Sequence, residues 1–129
     1  WRDGAFVQGG LADDPTQREP WVPAAELKAI DVQTWGIAAL GTRQIDQWFG
    51  AGAAFALWQR TKAWGAYGVG KALWGVGYSD QDGNGIGDDG SYKQGVMSGE
   101  WTAGAIAAVR IPVRYPESMM ARSRSEASS

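Results

Sequence analysis

The chain has 129 residues, 44% of them apolar, enough for one domain with a core of ordinary size and too apolar for a disordered segment. Its 12 Lys and Arg against 14 Asp and Glu leave no positive excess to neutralise a phosphate backbone or an anionic membrane, so nucleic acid is not an expected partner. Cys and His are both absent, which removes disulfides, zinc-thiolate and imidazole sites, a Cys nucleophile and any Ser-His-Asp triad; catalysis must run on carboxylates, hydroxyls, amines or a hard metal ion.

The longest apolar run, residues 51–58, falls far short of the roughly 20 residues that cross a bilayer, so no membrane-spanning helix is expected. The sequence opens at Trp1 with neither Met nor a charged-then-apolar leader, and any signal peptide is expected to have been removed or to lie outside it. The 8 Trp and 19 Gly form a pairing common in carbohydrate proteins, where indole faces stack on sugar rings. The alternative use is a core that packs large rings against glycine.

In chain order, residues 1–23 hold three Pro and no sustained period, and read as an extended loop. Over 24–40, Leu27, Ile30, Ile37 and Ala38 keep helical spacing while Val32, Trp35 and Ala39 cover the other side, which predicts a helix buried all round. Gly41 suits its C-terminal cap and Thr42 the N-cap of a second helix over 43–64. So short a connection predicts an antiparallel helical hairpin. The second helix is expected to be amphipathic, with Ile45, Trp48, Phe49, Gly52, Phe55, Ala56 and Gln59 on one face.

The stretch 65–97 reads as a long Gly/Asp-rich loop interrupted by a short strand around Leu73 to Tyr78. Ser98 suits the cap of a third helix from Gly99 to about Arg110, which Pro112 stops. Residues 117–129, after Pro116, are a fourth helical candidate, and 98–129 then makes a second helical pair. The fold class expected from these elements is mainly α, built of antiparallel helical hairpins.

Within the loop, Asp80-Gln-Asp82-Gly-Asn84-Gly-Ile86-Gly-Asp88 places side-chain oxygens at alternating positions, with Gly85 where the backbone must turn. That spacing wraps a hard cation: Asp80, Asp82 and Asn84 offer side-chain oxygens, Ile86 its carbonyl, and Asp88 a direct or water-borne ligand, with calcium the natural ion. The loop resembles the first nine positions of an EF-hand and the Asp-rich calcium loops of dockerins and thrombospondin repeats. At the twelfth position Ser91 stands where an EF-hand has its bidentate Glu. The alternative is an exposed turn whose Asp and Asn side chains bond nearby backbone.

Two acids sit in apolar helical settings. Asp31 shares a helix face with Trp35 four residues on, so a sugar ring stacked on the indole would reach the carboxylate. Glu100 falls in the first turn after Ser98 and beside Trp101, where the helix dipole favours its ionised form. The alternatives are a buried, partnered Asp31 and a Glu100 that simply favours the helix terminus.

The segments Asp31-Val-Gln-Thr-Trp-Gly-Ile-Ala-Ala-Leu40 and Ser98-Gly-Glu-Trp-Thr-Ala-Gly-Ala-Ile106 resemble inner helices of the (α/α)-toroid, or six-hairpin, glycosidase superfamily. The resemblance implies catalytic roles for Asp31 and Glu100 and sugar-lining roles for Trp35 and Trp101. Trp74 and Tyr78 join the expected saccharide-binding set. It implies further that the chain is part of a toroid, completed by the remainder of a larger protein or by further copies. The functional expectation is part of a secreted carbohydrate-active enzyme, extracellular or periplasmic, hydrolysing glycosides with paired carboxylates. The alternative is a non-catalytic sugar-binding or self-assembling module stabilised by calcium.

Overall fold

A computed structural model describes residues 1–11, 22–23 and 27–110. Among these, four helices alternate with two small antiparallel strand pairs: β1 (Gly10–Leu11), β2 (Val22–Pro23), α1 (Ile30–Leu40), α2 (Thr42–Phe49), α3 (Ala53–Gly65), β3 (Ala66–Val69), β4 (Ala72–Val76) and α4 (Gly99–Val109). β1 pairs with β2 and β3 with β4. The expectation of a mainly α toroid segment built of helical hairpins is therefore corrected to a small mixed arrangement of short helices and two-stranded sheets. No helix among the described residues is long and apolar enough to cross a membrane.

Each departure has a local cause. α1 starts at Ile30 rather than at residue 24 because the preceding backbone is engaged elsewhere: Ala29 is extended and bridges Ser79, the Asp80 amide donates to the Lys28 carbonyl at 3.2 Å, and the Lys28 amide donates to Asp80 Oδ1 at 3.0 Å. Gly41, with φ +77°, caps α1 by donating to the Ile37 carbonyl and also fills the N-cap place of α2, so Thr42 is the first helical residue and not the cap.

The second predicted helix, 43–64, is two helices. Gly50 at φ +107° and Gly52 at φ +81° take left-handed backbone that other residues resist, and the chain turns between them. Asp46 of α2 reaches across the break, its Oδ1 accepting from the Ala54 amide at 2.9 Å, and so caps α3, whose own N-cap Gly52 has no side chain to do it. The break resets the helical phase. α3 buries Ala54, Leu57, Thr61 and Gly65, whereas Trp48 and Phe55, assigned by sequence to one inward face, are exposed.

The expected long loop holds a hairpin. Gly70, at φ +57°, takes the first central place of the two-residue turn between β3 and β4, the position that a type II′ hairpin reserves for glycine. Pairing is Ala66 with Val76, Tyr67 with Gly75, Gly68 with Leu73 and Val69 with Ala72, which leaves Trp74 as an extra, unpaired residue.

Two apolar clusters form the core. One joins Ala5, Ile37, Ile45, Ala54, Leu57 and Ala108, the other Ile30, Val76 and Ala105, and the half-buried Trp58 and Trp64 pack against both. α1 is not buried all round: Ile30, Gln33, Thr34 and Ile37 face inward while Trp35, Ala39 and Leu40 are exposed. The N-terminal segment is pinned onto α1 by buried Gln33, whose Oε1 accepts from the Phe6 amide at 2.9 Å and whose Nε2 donates to the Phe6 carbonyl at 2.9 Å and the Ala29 carbonyl at 3.2 Å. α4 starts and caps as anticipated, with Ser98 Oγ accepting from the Trp101 amide at 3.2 Å. The helical candidate 117–129 lies outside the described residues.

Candidate functional site

The end of β4 organises the helix starts. The Ser98 amide donates to the Val76 carbonyl at 2.9 Å, and the Ile30 amide donates to the Tyr78 carbonyl at 2.9 Å, so α4 and α1 both begin against the stretch 76–78. Thr102 Oγ1 adds a third tie, accepting from the Val76 amide at 3.0 Å. One turn further in, a Cβ placed on Gly104 would lie 3.2 Å from Cε2 and Nε1 of Trp35 and 3.3 Å from Thr34 Oγ1. The indole of α1 thus lies across the glycine of α4. Two helices that begin together and touch again one turn later run side by side in the same direction.

This geometry places the acids. Asp31 stands four residues before Trp35 and Glu100 four before Gly104, each one turn back along the face that makes the contact. Both acids therefore stand in the first turns of two helices that begin against the same strand end. Asp31 is half-buried, and its Oδ1 accepts from the Val32 amide at 2.7 Å. It does not interrupt a fully buried helix; it sits at the helix start, where backbone amides satisfy it. Glu100 is exposed and makes no hydrogen bond to another described residue.

Aromatic faces flank the pair. Tyr78, 45% exposed, meets the half-buried Trp101 edge-on, with ring centroids 4.8 Å apart at 71°. Trp35 is 50% exposed beside Asp31. Trp74 is 61% exposed at the β4 bulge, an irregularity that re-aims a side chain out of the ladder. Asp31 and Trp35 on α1, Glu100 and Trp101 on α4, and Tyr78 just past β4 thus belong to two helix starts tied to one strand end, and of these rings Tyr78 and Trp101 touch. Trp74 stands on the same strand, four residues before Tyr78.

The acidic loop is arranged by backbone contacts. Asp80 Oδ1 accepts from the Lys28 amide at 3.0 Å. Asp82 accepts from the Tyr78 and Ser79 amides through Oδ2, the latter at 2.9 Å, and from Ser79 Oγ through Oδ1 at 3.2 Å. Asn84 is buried; its Nδ2 donates to the Val96 carbonyl at 2.6 Å and the Gly65 carbonyl at 3.5 Å, while its Oδ1 has no hydrogen-bond partner among the described residues. The Ile86 amide donates to the Ala63 carbonyl at 3.3 Å, and Asp88 is exposed. Asp82 and Asn84 both lie against Gly77, while Asp80 turns to the Lys28 amide, so the three side chains are held by the backbone of neighbouring segments. Beyond the loop motif, hydrogen bonds from the Ser91 amide and hydroxyl hold the exposed Asp89 carboxyl below its ordinary range.

Two contributors were missed by sequence reasoning. Gln33, a polar residue at a buried position of an apolar helix, carried a readable signal. The role of the Tyr78 carbonyl as the acceptor for α1 carried none, because it is a backbone contact across 48 residues of sequence separation. Compared with protein-family models, curated proteins and solved structures, the chain matches none.

Proposed function

We propose that the chain is part of a carbohydrate-active protein and that a saccharide lies over the joined starts of α1 and α4. The observation that supports this reading is the edge-on contact of Tyr78 with Trp101 at the joined starts of two helices that also carry Asp31, Trp35 and Glu100. Aromatic faces take the apolar side of a pyranose ring and carboxylates accept its hydroxyls. In the hydrolytic form of the proposal, Asp31 and Glu100 divide the roles of proton donor and of nucleophile or water-activating base.

A second reading, binding without cleavage, is favoured by one observation: Glu100 is solvent-exposed, whereas a general acid works best in a site that excludes water. Titration of intrinsic Trp fluorescence with cello-, xylo-, manno- and chito-oligosaccharides, with product analysis on the same samples, separates the two. Hydrolysis should fall about 10²–10⁴-fold in Asp31→Asn and in Glu100→Gln, as expected on removing an acid or base. Binding without products, kept in both variants and lost in Trp101→Ala, would establish the module and discard the enzyme. No binding of any of these sugars would remove both.

A further inference from the structure

The acidic loop reaches the aromatic surface through one residue. Tyr78 and Ser79 both donate their backbone amides to Asp82 Oδ2, and Ser79 Oγ donates to Asp82 Oδ1, so three donors within two residues converge on one carboxylate. Hydrogen bonds to an ionised acceptor are about twice as strong as neutral ones, and three of them tie the 78–82 turn together. The same two residues are engaged on their other side. The Tyr78 carbonyl accepts from Ile30 at the start of α1, Ser79 bridges Ala29, and the Tyr78 ring abuts Trp101.

We propose that Asp82 is a positioning residue for saccharide recognition, holding Tyr78 so that its ring stands against Trp101 as one aromatic surface. The inference rests on the carbohydrate reading for its ligand, but not for its geometry. Asp82 touches no sugar; its carboxylate fixes the backbone that presents the Tyr78 ring. A calcium ligand at this position would act differently, since its effect would vanish when the metal is removed.

The test is a double-mutant cycle read in the presence of a chelator. Asp82→Ala should weaken oligosaccharide affinity about five- to tenfold in the native background and leave it unchanged in a Tyr78→Ala background, because the pair acts as a unit. Asp82→Asn should restore most of the affinity, its carbonyl accepting the two amides and its amide meeting Ser79 Oγ. Should Asp82→Ala fail to fold, Asp82→Glu carries the same cycle, its extra methylene moving the carboxylate off the two amides. Near-ultraviolet circular dichroism should lose the Tyr78–Trp101 signal in Asp82→Ala and regain it in Asp82→Asn, with or without sugar. Equal affinity losses in both backgrounds, an unchanged aromatic signal, or a native affinity abolished by the chelator would each overturn the proposal. If no sugar binds, the carbohydrate reading falls alone, and the dichroism arm still decides whether Asp82 positions Tyr78.

Discussion

Replacing Gln33 by Ala removes the clasp between the N-terminal segment and α1. The side chain is 1% exposed and gives Phe6 both a donor and an acceptor. The Ala29 carbonyl keeps its place in the helical ladder, so two backbone groups of Phe6 lose their partner. Phe6 is half-buried and water reaches it in part, so the lower end of the desolvation cost applies, about 1 kcal/mol for each group. Losing the buried aliphatic part of the side chain adds about 1 kcal/mol, for a total near 3 kcal/mol. In a chain of this size that lowers the thermal midpoint by on the order of 10 °C, readable by circular dichroism or calorimetry.

Gln33→Glu sharpens the test. Its carboxylate still accepts from the Phe6 amide but faces the Phe6 and Ala29 carbonyls, so burial and those oxygens raise its folded-state pKa above the unfolded value. A raised carboxyl pKa destabilises the fold where the group is charged in the unfolded chain. The deficit is therefore full above the folded pKa and shrinks as the pH falls toward the unfolded value of about 4.3. A midpoint for Gln33→Ala within about 2 °C of the native protein, the range of an ordinary surface change, would refute the clasp. So would a Gln33→Glu deficit that grows relative to the native protein on acidification.

The remaining predictions concern helix ends. Gly50→Ala should cost about 1–3 kcal/mol and more than Gly52→Ala, because φ +107° with ψ 152° is open to almost no residue but glycine, whereas φ +81° with ψ 2° is ordinary left-handed backbone; urea denaturation of the two variants gives the order, equal costs would refute the ranking, and no cost at either would remove the stated cause of the α2/α3 break. Ser98→Ala should cost about 1 kcal/mol by loss of the cap on the Trp101 amide. Amide exchange should then quicken in the first turn of α4 before any other element, and a uniform change along the chain would count against a local cap.

What the sequence determined by itself was local. Ser98 before an apolar run specifies the start of α4, Gly41 ends α1, and the apolar residues around Leu73 announce a strand, because caps, turns and β-branched runs act within a few residues. The choice of Asp31, Trp35, Glu100 and Trp101 as a group rested on residue type, helix position and the resemblance to toroid inner helices. That the two helices carrying them start against one strand end was decided by the bonds of 76–78 to segments far apart in the chain. Tertiary contacts also overruled local propensity: pairing of 28–29 with 79–80 delayed α1, and two left-handed glycines split the second helix and turned Trp48 and Phe55 outward. The alternating oxygens of 80–88 fit a cation loop by spacing, while the directions of Asp80, Asp82 and Asn84 were decided by amides and carbonyls at 28, 65, 78, 79 and 96. Spacing within a loop sets which oxygens are available; only the packed chain decides which donors reach them first.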